Sequence, residues 1–224
     1  MIKNLIMDCD GVLYPVRELP LVEMVSAMKA VYREDMHLDK DVQAEASHKT
    51  IREQHLGIFN YIKEACNLSG YDFNLFCRQM ANRIDYRKIK FNPRLEGLLT
   101  SIAQYRNVII WSNNSREHIN KVFQRVFKQD IDAMQKKNIK VADITANEKD
   151  GYFLPKQSEE GFGIFLQNQG LIGKESILFD DTPVNLQSAA RFGVKGELIS
   201  EDRDLYHVLQ PYYFFARNKG KSYE

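Results

Sequence analysis

Residues 3–14, KNLIMDCDGVLY, join a short apolar run to two carboxylates that stand one residue apart. The continuous run LIM at 5–7 is typical of a central parallel strand that is covered on both faces. The run ends at Asp8, and Gly11 allows the backbone to turn sharply after it. Asp8 and Asp10 form either an ordinary acidic turn or a pair that converges on a cation, because like charges this close repel each other.

Further apolar runs follow along the chain, and helical patterns separate them. The sequence predicts strands at 107–111, 139–144, 176–179 and 195–199. It predicts helices that begin after Asn92, from 116 to 127, from about 158 to 169 and from 183 to 192. This alternation of strand and helix is typical of an α/β protein with a Rossmann-like, doubly wound parallel sheet.

One long segment after the first strand differs from the rest, because it contains helical patterns and no convincing strand. Apolar residues recur at helical spacing from Leu21 to Val31, and more helix is predicted over 41–56, 58–67 and 72–83. We therefore expect an all-helical cap domain at 16–91, inserted into a catalytic core formed by residues 1–15 and 92–224.

The composition is that of a soluble globular protein. The chain has 224 residues, of which 44% are hydrophobic and 27% charged, and its formal net charge of +1 gives no sign of a dedicated nucleic-acid binder. No apolar stretch approaches the ~18 residues of a membrane helix. The three cysteines follow no disulfide or zinc spacing. We expect a cytoplasmic protein without nucleic-acid or membrane partners.

Polar residues stand where three of the predicted strands end. Asp8 follows the first strand, Ser112 the second, and the pair Asp180 and Asp181 a later one. The carboxyl ends of parallel strands share one edge of the sheet, where ligands bind. Asp8 and Asp10 alone leave the acidic turn and the cation site equally open, and Asp180 and Asp181 alone would more often be an acidic loop. Both pairs at one edge would be electrostatically costly without a cation, and carboxylate oxygens suit Mg²⁺.

Two other features could hold an anion at the same edge. Ser112 and Asn113 supply a hydroxyl and backbone N–H groups ahead of a helix, which makes either an anion cradle or a plain helix cap. Lys156 stands just before another predicted helix, where its charge could neutralise a phosphate, although a lone lysine is more often solvated. Lys149 is a competing candidate for this role, but Lys156 fits the helix start better.

Taken in order, these features resemble the four motifs of the haloacid dehalogenase superfamily of phosphohydrolases. The matching segments are DCDGVLY at 8–14, VIIWSN at 108–113, Lys156 ahead of a helix, and ILFDDTPVN at 177–185. The set spans nearly the whole predicted core, and its order and spacing make it more specific than any single piece.

The resemblance implies a role for each matched residue. Asp8 would be the nucleophile that forms an aspartyl-phosphate, and Asp10 would be the acid and then the base. Ser112 and Lys156 would hold the phosphoryl oxygens. Mg²⁺ would be bound by Asp8, by Asp10 through its backbone carbonyl, and by Asp180 and Asp181.

Within the superfamily the chain most resembles the pyrimidine 5'-nucleotidase-like group. The resemblance rests on Leu13-Tyr14 after the first motif, QHLG at 54–57 and IDYRKIKFNPRLEGLL at 84–99. It implies a nucleoside 5'-monophosphate as substrate. The candidate substrate-binding residues are Arg52, His55 and Asn113.

The expected function is Mg²⁺-dependent hydrolysis of a small phosphorylated metabolite. Asp10 favours a phosphatase over a dehalogenase, because the dehalogenases of the superfamily lack this second aspartate. The alternatives are a sugar-phosphate phosphatase, a phosphotransferase or mutase of the same superfamily, and a non-catalytic member that binds a phosphorylated ligand or a protein. The sequence leaves the oligomeric state open.

Overall fold

The computed structural model describes residues 1–38 and 57–219. Its strands are β1 (Asn4–Met7), β2 (Asn107–Trp111), β3 (Ile139–Ala142), β4 (Glu148–Lys149), β5 (Tyr152–Phe153), β6 (Ser176–Asp180) and β7 (Lys195–Leu198). Its helices are α1 (Leu21–Glu34), α2 (Ile58–Ser69), α3 (Phe73–Arg83), α4 (Pro93–Ile102), α5 (Arg116–Val126), α6 (Ile131–Lys136), α7 (Glu159–Asn168), α8 (Pro183–Arg191) and α9 (Leu205–Lys219).

Five parallel strands form the central sheet in the order β3-β2-β1-β6-β7. This confirms the predicted Rossmann-like α/β fold. β1 lies in the middle, and Met7 is in register with Ile110 of β2 and Phe179 of β6. The register therefore brings Asp8, the end of β2 and Asp180 to the same level at the carboxyl edge of the sheet.

The central strands are apolar throughout because both faces of the sheet are covered. On one face Leu5 and Met7 join a large core with side chains from most of the helices. On the other face Ile6 packs with Trp111 and with Phe165 of α7. Trp111 and Phe165 stack in parallel with ring centroids 3.6 Å apart. The alternation of faces along β1 follows the two-residue period of a strand.

Polar side chains cap three of the helices that flank the sheet, and the cap at Asn92 is predicted from the sequence. The Asn92 side chain accepts a hydrogen bond from the backbone N–H of Leu95, and Pro93 is the first residue of α4. Ser115 caps α5 in the same way, and Ser158 caps α7. Each cap satisfies an N–H group that would otherwise lack a partner at the helix start.

The described part of the predicted insert, 16–38 and 57–91, contains helices and no β-strand. The predicted helix over 41–56 lies outside the described residues. α3 packs against α1 and α2, and also against α5, which follows β2. The amide of Asn60 on α2 pairs with the backbone N–H and carbonyl of Phe153, at 2.8 and 2.7 Å. These contacts join the helices of the insert to segments that lead to the sheet edge.

The short helix α6, the hairpin of β4 and β5, and α9 are not predicted from the sequence. The hairpin of β4 and β5 has strands of two residues each, which is too short for an alternating pattern to show. α9 contains Pro211 in its interior, and a proline normally indicates a helix end. No helix in the described part of the chain is long and apolar enough to cross a membrane.

Candidate active site

Asp8 lies directly after β1 at the centre of the carboxyl edge, and it is 8% exposed. Its Oδ1 accepts a hydrogen bond of 2.6 Å from the backbone N–H of Cys9. The same oxygen lies 2.6 Å from Nζ of Lys156. Oδ2 accepts no hydrogen bond from the described residues. Burial raises the pKa of Asp8 to about 8, because the loss of solvent outweighs the opposing charge of Lys156.

Lys156 is buried, at 1% exposure, in the segment between β5 and α7. Its Nζ also donates to the backbone carbonyl of Trp111 at 3.0 Å and lies 3.4 Å from Oδ2 of Asp180. Burial alone would lower the pKa of this lysine, but Asp8 and Asp180 raise it above its ordinary value. The competing candidate, Lys149, is exposed and pairs with Glu160.

Asp8, Asp180 and Asp181 bring one carboxylate oxygen each to within 4.8 Å of the others. Asp180 is fully buried, and its carboxylate accepts hydrogen bonds from Nδ2 of Asn185 and from the backbone N–H of Thr182. The hydroxyl of Thr182 donates to Oδ1 of Asp181 at 3.1 Å. Burial and the charge of Asp180 raise the pKa of Asp181. Asp180 and Asp181 are therefore held in place by donors from Thr182 and from the first turn of α8.

These three carboxylates fit a hard divalent cation. Among the described side chains that contact the cluster, Lys156 is the one cation, so the carboxylates are not balanced. Uncompensated buried carboxylates are costly, and oxygen ligands are those that Mg²⁺ prefers. Asp8, Asp180 and Asp181 would hold the ion, whereas the Asp10 side chain makes other contacts. If Asp10 binds the metal ion, it would therefore do so through its backbone carbonyl oxygen.

Gly11 supports the geometry of this cluster. Its backbone is left-handed, with φ of 75°, and a Cβ atom there would lie 2.0 Å from Oδ2 of Asp181. We expect Gly11→Ala to displace that carboxylate and to weaken Mg²⁺ binding by about 10–100-fold, the loss typical when the support of a metal ligand is removed. Calorimetric titration with Mg²⁺ measures this effect.

Gly70→Ala is the matched control. Gly70 is also left-handed, with φ of 69°, but no atom lies within 4 Å of the position of an added Cβ. Both substitutions should cost about 1–2 kcal/mol of folding free energy for the backbone conformation alone. Equal Mg²⁺ affinity in the two variants would show that Gly11 does not protect the carboxylate cluster.

Asp10 is held by four side chains. Oδ1 accepts hydrogen bonds from the hydroxyl of Tyr14 and from Nε2 of His118, the latter at 2.8 Å. Oδ2 accepts from Nδ2 of Asn114 at 2.7 Å and lies 3.4 Å from the hydroxyl of Ser112. Burial would raise the pKa of Asp10, but His118, Tyr14 and Asn114 together hold it well below its usual range. The aspartate is therefore ionised here.

Sequence reasoning did not find His118, Asn114 or Tyr14 as partners of Asp10. Tyr14 is part of the DCDGVLY segment, and its buried hydroxyl would need a partner in any case. His118 lies in the first turn of α5, three residues after the Ser115 cap. That position places its side chain near the end of β2, but no local sequence pattern pairs it with Asp10, which lies 108 residues away.

The segment after β2 links the two halves of the site. The backbone N–H of Ser112 donates to Ala142 of β3, and the Ser112 hydroxyl accepts from the N–H of Asn114 at 3.1 Å. Oδ1 of Asn113 accepts from the backbone N–H of Lys156 at 3.2 Å. The predicted substrate-binding residues Arg52 and His55 lie outside the described residues.

A cavity of about 500 Å³ adjoins Gly11 and Asp181. Its walls contain aromatic side chains and ion-paired charges, among them Phe91, Tyr206, Arg17, Glu18 and Lys90. This volume lies within the usual range for small-molecule sites. The cavity therefore offers room for an organic group next to the carboxylates.

No protein-family profile matches the chain, and no curated protein matches it. Solved structures do match. A haloacid dehalogenase-family enzyme from Bacteroides thetaiotaomicron, in complex with magnesium and inorganic phosphate, is 17% identical with a TM-score of 0.55, over 93% of this chain and 99% of that one. A 2-haloacid dehalogenase from Pseudomonas syringae is 14% identical with a TM-score of 0.56, over 97% and 99%.

CbbY from Rhodobacter sphaeroides, in complex with phosphate, also matches. It is 13% identical with a TM-score of 0.55, over 92% of this chain and 89% of that one. At such identities the likeness establishes the shared architecture. The chain has the fold of haloacid dehalogenase-family enzymes.

Proposed function

We propose that this chain is a Mg²⁺-dependent phosphomonoester hydrolase of the haloacid dehalogenase superfamily. The observation that carries the proposal is the buried contact of Asp8 with Lys156, 2.6 Å apart, at a cluster of three carboxylates. A desolvated carboxylate with one free oxygen, next to a fixed ammonium group, suits nucleophilic attack on a phosphate ester. A neighbour of the same fold that was solved with magnesium and phosphate supports it.

The reaction has two steps. In the first, Oδ2 of Asp8 attacks phosphorus, the ester P–O bond breaks, and the leaving oxygen takes its electron pair and a proton from Asp10. In the second, Asp10 takes a proton from water, which attacks the aspartyl-phosphate and releases phosphate and Asp8. When bound, Mg²⁺ supplies positive charge that offsets the carboxylates and the phosphoryl oxygens.

The other residues of the site have supporting roles. Lys156 and the Ser112 hydroxyl would contact the phosphoryl oxygens, and Asn113 would hold the Lys156 segment by its backbone. The contacts of Asp10 keep it as the carboxylate, which is the form that the second step needs. The first step needs the acid, so a proton must reach Asp10 before the ester bond breaks.

The preferred substrate is a small phosphorylated metabolite, with nucleoside 5'-monophosphates first. The nucleotide preference rests on the resemblance of Leu13-Tyr14, of residues 54–57 and of residues 84–99 to the pyrimidine 5'-nucleotidase-like group. Sugar phosphates are the competing class, and a mutant of CbbY that was solved with xylulose-1,5-bisphosphate supports it. We also propose that 16–91 acts as a cap over a core of 1–15 and 92–224. The free thiols Cys9, Cys66 and Cys77 favour a cytoplasmic location.

The test is phosphate release from a panel of nucleoside monophosphates, sugar phosphates and p-nitrophenyl phosphate, with Mg²⁺ and with EDTA. We expect turnover with Mg²⁺ and none with EDTA, and the fastest turnover on a nucleotide. Equal rates in EDTA would contradict the metal dependence. No turnover on any substrate would favour a non-catalytic protein that binds a phosphorylated ligand, and transfer to an added alcohol or sugar would favour a phosphotransferase.

A further inference from the structure

We infer that Tyr86 and His118 form a buried relay that positions Asp10 for proton transfer in the ester-cleaving step. The inference rests on the proposed function, because it assigns Asp10 as the acid. His118 and Tyr86 would not touch the substrate. They are positioning residues that act through Asp10.

The relay is a continuous chain of short contacts. Nε2 of His118 lies 2.8 Å from Oδ1 of Asp10, and Nδ1 lies 3.0 Å from the Tyr86 hydroxyl. His118 is fully buried and Tyr86 is 7% exposed. Both ring nitrogens of the histidine are therefore occupied, and the ring has no freedom to turn without breaking a buried hydrogen bond.

The surroundings of Asp10 assign the direction of its contact with His118. The Tyr14 hydroxyl donates to Oδ1 of Asp10 and the Asn114 amide donates to Oδ2, so both oxygens act as acceptors. Nε2 of His118 therefore carries the proton that faces Asp10. The Tyr86 hydroxyl can donate to Nδ1 or accept from it, and in either case it holds the ring in this orientation.

Tyr86 also links the relay to the helical insert. Tyr86 belongs to a short 3₁₀ turn, Tyr86–Lys88, in the segment that leads from α3 to α4. That turn packs against α5, whose first turn carries His118. The position of Asp10 is thus coupled to the segment through which the helical insert returns to the core.

The test compares kcat/KM for two esters that differ in leaving group. The alkoxide that leaves an alkyl phosphate must be protonated by an acid. The dinitrophenolate that leaves 2,4-dinitrophenyl phosphate is stable without a proton and needs no acid. We expect His118→Leu to lower kcat/KM for the alkyl ester by about 10²-fold, the low end of the contribution of general acid catalysis. The value for the dinitrophenyl ester should stay close to that of the unmodified protein.

His118→Gln places an N–H donor near the position of Nε2 and should restore part of the loss on the alkyl ester. Tyr86→Phe should show the same selectivity as His118→Leu, with a smaller loss. His207→Leu, on an exposed side chain of α9, is the control and should change neither ester. An equal loss on both esters would overturn the relay and leave the proposed hydrolase intact, whereas an inactive unmodified protein would overturn the hydrolase itself.

A second measurement does not depend on activity. Nitrogen NMR of the metal-free protein labelled in histidine should show a proton on Nε2 of His118, with the signal assigned by its absence in His118→Gln. Tyr86→Phe should shift the Nδ1 signal of His118, because it removes the hydroxyl that Nδ1 contacts. A His118 ring without a proton on Nε2 would contradict the relay.

Discussion

Asp8→Asn should lower phosphate release by at least about 10⁴-fold, the loss typical when a catalytic nucleophile is removed. The amide has nearly the shape of the carboxylate, so Lys156 and the surrounding backbone keep their places. It lacks the charged oxygen that attacks phosphorus. The rate is measured at saturating Mg²⁺ with the best substrate of the panel.

The same variant should be more stable than the unmodified protein when Mg²⁺ is removed by EDTA. Burial raises the pKa of Asp8 to about 8, so folding disfavours its charged form, and the neutral amide avoids that cost. For the same reason the unmodified metal-free protein should lose stability as the pH rises toward 8. Thermal unfolding of both proteins in EDTA measures the difference.

Asp132→Asn is the control for both measurements. Asp132 lies on α6 with a side chain that is 80% exposed, so its substitution should change neither the rate nor the stability in EDTA. Phosphate release that survives Asp8→Asn at a comparable rate would show that another group attacks phosphorus.

Lys156→Met should destabilise the metal-free protein by about 3–5 kcal/mol, the cost of breaking a buried ion pair by removing one partner. Methionine fills much of the same volume, so the loss comes from leaving Asp8, Asp180 and Asp181 without their ammonium neighbour. Denaturant unfolding at pH 8 in EDTA measures the cost. Phosphate release should also fall sharply, because the neighbour of the nucleophile is gone.

Two conditions separate this explanation from a packing defect. Saturating Mg²⁺ should restore part of the lost stability, and lower pH should also reduce the loss, because carboxylates whose pKa burial raises then become neutral. Lys136→Met, on the exposed side of α6, is the control and should be close to neutral. A loss that is the same at pH 5 and pH 8, with and without Mg²⁺, would contradict the electrostatic account.

The sequence is sufficient to predict the sheet and the residues at its edge. Continuous apolar runs distinguish β1, β2 and β6, and each run ends where a polar residue reaches the carboxyl edge. Asn92 caps the helix that follows it, as expected, whereas α5 is capped by Ser115 and not by Ser112 or Asn113. These features are local, because a strand or a cap is determined within a few residues of itself.

The contacts of Asp10 could not be predicted in the same way. His118 and Tyr86 are 108 and 32 residues from the side chains they contact, and no local pattern records such pairs. Packing between distant segments also determines the hairpin of β4 and β5 and the proline-containing α9. Local sequence propensity therefore does not predict them. The residues that bind the substrate's organic group are predicted from resemblance alone.

The most direct test of the account is chemical trapping of the aspartyl-phosphate on Asp8. Asp10→Asn should form the intermediate from 2,4-dinitrophenyl phosphate, which needs no acid, and should hydrolyse it slowly, because the base for water is missing. Acid quenching, reduction with borohydride and peptide mass spectrometry should then find homoserine in place of aspartate at position 8. Release of dinitrophenol with Asp8 unmodified, or with the phosphoryl group on another residue, would contradict the account.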